Sequence, residues 1–231
     1  MNDVDDATEG RVRPTLVWDW PLRIWHWLFA IGVSASLVTG LIGDVSLMDW
    51  HLWLGYSALA LLLFRLGWAL WGGRYARLDT FRTSPGRILA HFRGRGEAGP
   101  PTAEPRTMGP RTAPGAALAI LLFLAVMVQA AAGLFTTDDI FTEGPLVRHA
   151  SSDTVDLMSA VHHRAYWVVL ALIAVHLLAH LVYALRRDPT PLSMFTGRKP
   201  VALPPTRHRP VRALVTALVC AGAVWWGLSL A

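Results

Sequence analysis

The chain has a single cysteine, Cys220, in 231 residues. An internal disulfide, a Cys-rich metal site, an iron–sulfur cluster and a CxxCH haem attachment are therefore all excluded. Charge is also scarce. Asp, Glu, Lys and Arg make up 16% of the chain against 53% hydrophobic residues, where a soluble domain carries about 25% charged residues. The pI near 10.1 raises the question of nucleic acid. The basic residues, however, fall between hydrophobic segments and not along one face, which points to orientation in a membrane and to no nucleic-acid partner. No internal repeat is evident.

What is abundant is long apolar runs. A membrane span needs about 20 mostly apolar residues, and five segments qualify: 22–42, 51–71, 115–135, 160–185 and 211–230. The fold class expected is an all-α integral membrane protein. Pro21, Pro114 and Pro210 stand at or near three helix starts, where a missing N–H costs nothing. Gly43 and the pair Gly72 and Gly73 follow two helix ends, as caps do. Eleven tryptophans collect near the ends of the runs (Trp18, Trp20, Trp25, Trp27, Trp50, Trp53, Trp68, Trp71), where indoles sit at a membrane–water interface. A cleaved signal peptide is the rival reading of the first run, with Ser34-Ala35-Ser36 as its cleavage site. The run continues to Ile42 and carries Trp and His, so it is taken as a retained helix. The stretch 93–114, rich in Pro, Gly and Arg, reads as a flexible connector.

Loop charges orient the spans. The leader holds Arg11 and Arg13, with Arg23 at the start of the first span. The loop after the second span holds Arg74, Arg77, Arg82, Arg87, Arg93, Arg95, Arg106 and Arg111. The loop after the fourth holds Arg186, Arg187, Arg198, Lys199, Arg207 and Arg209, with Arg212 at the start of the fifth. The opposite loops are acidic: Asp44 and Asp49 in one, and Asp138, Asp139, Glu143, Asp153 and Asp156 against Arg148 in the other. The positive-inside rule then expects a cytoplasmic N-terminus and a C-terminus on the outer side of the membrane.

Four histidines, His26, His51, His162 and His176, lie within apolar runs. An ionisable group inside a membrane marks a functional site by default. His26 opens the first span from the basic side, and His51 opens the second from the acidic side. In the fourth span, which enters from the acidic side, His162 comes early and His176 late. Depth thus pairs His26 with His176 (inner) and His51 with His162 (outer). Fourteen residues of helix, at about 100° each, fall within about 40° of four turns and span about 21 Å, so one helix offers a ligand at each level. The same interval separates Gly40 from His26, leaving room at the outer level, and Arg65 from His51, aiming a guanidinium at the inner level. Gly55, one turn after His51, lets a flat ring approach its helix. His163 points about 100° away from His162, which favours His162. His180 shares a face with His176 and competes for the inner site; because His26 lies so near the basic edge, depth alone favours His180. His91, His149 and His208 fall in loops and are read as solvated.

Two imidazoles from opposing helices suit the axial positions of haem, whose porphyrin supplies the other four nitrogens. A structural zinc site would want four protein ligands, and the apolar walls offer neither thiolates nor nearby carboxylates. Arg65, Arg23 and Arg164 are candidates for the haem propionates, with snorkelling or interfacial anchoring as the plainer alternative for each. Gln129 is weighed as a quinone contact and as a helix–helix hydrogen bond.

The segments VWDWPLRIWHW (17–27), HLWLGYSALALLLFRLGW (51–68), GLFTTDDIFTEGPL (133–146) and AVHHRAYWVVLALIAVH (160–176) resemble the bacterial di-haem cytochrome b561 family, which includes the b-type cytochrome subunits of nickel–iron hydrogenases. The resemblance covers roughly residues 15–200. It implies a four-helix membrane core with two b haems, ligated by His26 and His176 and by His51 and His162, with His176 preferred over His180. It further implies electron transfer between a periplasmic partner, such as a cytochrome c or a dehydrogenase- or hydrogenase-type subunit, and the quinone pool. Residues 1–15 are then a cytoplasmic leader, 16–200 the di-haem domain, and 201–231 a linker with an extra fifth span; a homodimer is allowed. The competing functions are a stand-alone membrane oxidoreductase, for instance superoxide:quinone, and a metal-ion or proton transporter. The scarcity of intramembrane carboxylates argues against transport.

Overall fold

The computed structural model describes residues 14–81, 83–93, 110–201 and 203–231. The leader through residue 13 and the connector from 94 to 109 lie outside them. Five long apolar helices make up the molecule: α1 (Trp20–Ile42), α2 (Val45–Trp71), α4 (Ala113–Gly133), α5 (Ser152–Leu185) and α7 (Pro210–Leu230). Two short helices, α3 (Pro85–Phe92) and α6 (Thr190–Thr196), and a two-residue antiparallel pairing of β1 (Thr15–Leu16) with β2 (Arg198–Lys199) complete it. All five long helices have the length and composition to cross a membrane, and the protein is a multi-pass membrane helical bundle. Its surface agrees: Ile31 is 65% exposed and Leu178 60%, positions that lipid and not water would cover.

Local chemistry sets the helix ends. Asp19, Asp44, Thr112 and Ser151 each accept a hydrogen bond from a first-turn backbone N–H of α1, α2, α4 and α5, the orphan donors that every helix start must satisfy. Because of these caps, α2 begins six residues before the expected span and α5 eight residues before, so both extend a polar first turn beyond the apolar stretch. Gly43 closes α1 in the left-handed region (φ 68°). Gly72 is extended, and the space at Gly73 is taken by the Asp19 carboxylate, which a Cβ there would overlap. The glycine pair therefore answers to close approach and not to a left-handed cap. His91 belongs to α3 and is not a loop residue. His208, although exposed, accepts the Trp20 backbone N–H through Nδ1 (3.1 Å), adding a cap to α1.

The chain runs up and down, so the bundle has a basic end and an acidic end. α1 packs along α2, α4 along α5, and α2 also contacts α4 and α7. The α5 backbone stands off from α1 and α2, and side chains fill the middle. Val33, Leu62, Val126 and Val169, one from each of α1, α2, α4 and α5, form an apolar layer with Phe29, Leu37, Phe123 and Ile173 around it. At the basic end a second cluster (Val17, Trp18, Leu22, Phe64, Trp68, Tyr75) ties the segment before α1 to α2 and α7. Asp19 lies at its centre, accepting from Leu22 N (2.9 Å) and Trp68 Nε1 (3.2 Å), while Trp18 Nε1 donates to Ser193 Oγ of α6 (3.0 Å).

Candidate functional site

The apolar layer separates two pairs of imidazoles. Toward the acidic end, His51 of α2 and His162 of α5 face each other with ring centres 6.1 Å apart. His51 Nδ1 lies 2.9 Å from the Ser36 carbonyl of α1, and His162 Nδ1 lies 2.9 Å from the Gln129 carbonyl of α4. A carbonyl can only accept, so Nδ1 carries the proton in both rings and Nε2 keeps its lone pair. Each ring is also backed by a glycine of the helix that holds its Nδ1. A Cβ on Gly40 of α1 would sit 2.8 Å from His51 Cε1, and one on Gly133 of α4 would sit 2.9 Å from His162 Cε1. The room expected at Gly40 is thus filled by the His51 ring itself. Gly55 faces open space and lines, with Gly40, Gly133 and both imidazoles, a cavity of about 410 Å³ floored by Val33, Val126 and Val169. Pockets for small molecules and cofactors fall in this size range.

Toward the basic end, His26 of α1 and His176 of α5 have ring centres 6.5 Å apart. His26 Nδ1 is buried with no hydrogen-bond partner. His180, one turn further along α5, lies 4.5 Å from His176 between ring centres, and its buried Nδ1 also has no partner. His163 is exposed and turned back onto the Ser159 carbonyl of its own helix (2.8 Å).

The three arginines expected near cofactors separate sharply. Arg65 is buried, 8% exposed, with its guanidinium over the rings of Trp25 and Phe81, so it does not snorkel to the surface. Arg23 is committed to the carboxyl end of α6, donating from Nε to the Met194 carbonyl (3.2 Å) and from Nη2 to that of Phe195. Arg164 is exposed beside the acidic-end pair. The backbone carbonyl of Gln129 accepts from His162 Nδ1 and so makes the contact between α4 and α5. Its side-chain Nε2, 3.2 Å from the same protonated nitrogen, is a second donor and makes no bond with it, and its buried Oε1 has no partner.

Among the described residues, no three His, Cys, Asp or Glu side chains gather as a metal-binding group. Each level offers two imidazoles and apolar walls. That donor set fits a metal that brings its own equatorial ligands, as haem does, and not a bare ion needing a protein cage. The comparison with protein families decides the matter: the model for prokaryotic cytochrome b561 matches residues 17–197. The chain belongs to the prokaryotic cytochrome b561 family. It is accordingly a membrane b-type cytochrome, a haem protein of electron transfer. No curated protein and no solved structure matches the chain.

Sequence reasoning did not find the Ser36 and Gln129 carbonyls or the role of Gly133. A carbonyl leaves no trace in a sequence. Gly133 did have a signal, a glycine late on a neighbouring helix, as Gly40 is on α1.

Proposed function

We propose that this cytochrome holds two b haems, one between His26 and His176 and one between His51 and His162, and carries electrons between a redox partner at the acidic end and the membrane quinone pool. The observation that supports this most directly is the spacing of the facing rings. A metal–imidazole bond is about 2 Å and a ring nitrogen lies about 1 Å from the ring centre, so two imidazoles on one metal have centres about 6 Å apart. The two pairs stand at 6.1 and 6.5 Å. The proton on Nδ1 of His51 and His162 leaves Nε2 free to ligate, and the carbonyl behind each ring fixes its orientation.

Haem iron would supply reversible one-electron chemistry at each level. Two axial imidazoles leave no open position, which suits transfer over binding of oxygen or substrate at iron. Two stations about 21 Å apart along α5 break one long transfer across the bilayer into shorter ones. By the positive-inside rule the loop charges support a cytoplasmic N-terminus with the acidic end facing the bacterial periplasm. There Asp138, Asp139 and Glu143 would meet a basic partner such as a cytochrome c, or another redox subunit. Purified protein should carry two haems per chain by pyridine haemochrome, and His51→Ala or His162→Ala should leave one. Two haems retained in either variant, or a colourless wild-type protein, refutes the assignment.

A further inference from the structure

Two cations lie close together at the basic end, Arg65 buried and Arg111 half-buried, and among the described residues neither forms a salt bridge. The Arg65 guanidinium is 8% exposed, and its buried Nη1 has no hydrogen-bond partner. Its Cζ lies 5.6 Å from the Trp25 ring centre and 5.5 Å from that of Phe81. The Arg111 Cζ lies 4.2 Å from the same Phe81 ring and 4.4 Å from that of Trp18. One aromatic ring thus carries both guanidiniums, which puts them less than about 10 Å apart. Arg111 spends Nη1 on the Tyr75 carbonyl (2.8 Å). Among the described residues the one salt bridge is Arg77 with Asp79, so neither arginine is ion-paired to any of them.

Asp19 is the acid within electrostatic reach of both, but its Oδ1 is taken by Leu22 N and Trp68 Nε1. Two guanidiniums against one carboxylate leave one positive charge uncompensated in a desolvated site. Buried charge of this kind is costly unless it is paired. Burial and the Arg65 charge pull the Arg111 guanidinium down to about 9, so it still carries its charge at neutral pH.

The missing partner is therefore a single anion, delivered from within the bundle because Arg65 is closed to the surface. Trp25, under Arg65, is the chain neighbour of His26, so the orphaned donor stands at the level of the basic-end pair. We propose that Arg65 and Arg111 together clamp one carboxylate of the basic-end haem, with Arg111 as a second cation supplied from the segment just before α4. Planar guanidiniums are suited to this, since each can meet a carboxylate with paired N–H donors. The clamp rests on the two-haem reading of the site.

The test uses the full-length, haem-loaded protein in detergent, with haem counted and both midpoint potentials read by spectroelectrochemical titration. His51→Ala, which keeps only the basic-end haem, identifies which potential belongs to which level. Arg111→Gln should shift the basic-end reduction equilibrium at least tenfold toward the oxidised form, about 59 mV for one electron, and leave the other potential unchanged. Arg111→Lys should restore most of that shift, and Arg65→Gln should act in the same direction. A merely structural role, packing between Trp18 and Phe81, would lower stability without moving one potential alone. Two haems with neither midpoint moved by Arg111→Gln or Arg65→Gln overturns the clamp, as does an equal shift of both. A wild-type midpoint that follows added inorganic phosphate assigns the anion to an exchangeable source and overturns it too. A protein without haem instead fails the earlier reading.

Discussion

Gly133→Ala is the substitution that most directly probes how the acidic-end imidazoles are held. The new Cβ would lie 2.9 Å from His162 Cε1 and 3.1 Å from Nδ1, where ordinary contact begins at 3.4 Å. The ring must therefore retreat by roughly half an ångström. Its Nδ1 is held 2.9 Å from the Gln129 carbonyl, one turn earlier on the same helix as Gly133, so retreat from the methyl is also retreat from the carbonyl. A bond stretched past about 3.2 Å is largely lost. The direct cost is about 1 kcal/mol. The larger effect is on ligand orientation, since loss of a partner behind a metal-bound histidine costs about 10–100-fold in metal affinity. Purified Gly133→Ala should show weakened acidic-end haem, counted by pyridine haemochrome, with the basic-end haem intact. Gly32→Ala on α1, where a Cβ meets nothing within 4 Å, is the control. Two haems per chain with both potentials unchanged in Gly133→Ala would refute the reasoning.

Burial holds the Asp19 carboxyl above its ordinary value of 3.8, against the opposing effect of its hydrogen bonds. A raised acid binds protons more readily folded than unfolded, so stability should fall as pH rises from 3.8 through the native value, and Asp19→Asn, which keeps an acceptor for Leu22 N, should flatten that slope in thermal melts. Three backbone donors, Ile140, Phe141 and Thr142, converge on Asp138 Oδ1 and pull it to about 2. This depressed acid stabilises its turn above pH 3.8 and loses that contribution as pH falls toward 2, so Asp138→Ala at neutral pH should speed hydrogen exchange of the three amides. Unchanged exchange there would refute the anchoring role.

The features legible in the sequence are those carried by single residue types over long distances. Apolar runs show the five long helices, and fourteen-residue spacing with alternating direction narrows which histidines meet, because a helix converts spacing into facing, though it leaves His180 in competition with His176 at the basic end. Starts of helices were less legible. Asp44 and Ser151 begin α2 and α5 within polar stretches that hydropathy does not count as span. Tertiary pairings were least legible of all. Arg23 is a propionate candidate or an interfacial anchor by its position near His26, yet it serves the end of α6, and only the fold shows that α6 returns to that place. Asp19 gives no hint of burial in a stretch that reads as interfacial, because the tryptophan that satisfies it, Trp68, is 49 residues away.

The distribution of packing explains why these helices need something between them. α4 and α5 lie close along their length, as do α1 and α2, but the two hairpins meet mainly through the α2–α4 contact and one apolar layer. On the acidic side of that layer α5 presents His162 to His51 across a cavity, not knobs into holes. Interiors are ordinarily filled to crystal-like density, and a gap lined by apolar walls and glycines forfeits that attraction on every side. Lipid tails offer helices no hydrophobic drive to close it. A rigid planar group bridging the imidazoles would restore the missing contacts on both faces, so a haem held there, as proposed, would serve as core as well as electron carrier. The same sparseness accounts for the short elements at the basic end. The β1–β2 pairing and the Trp18–Ser193 bond join the segment before α1 to the segments that follow α5, which the long helices do not, and the Asp19–Trp68 bond adds a tie between the start of α1 and α2.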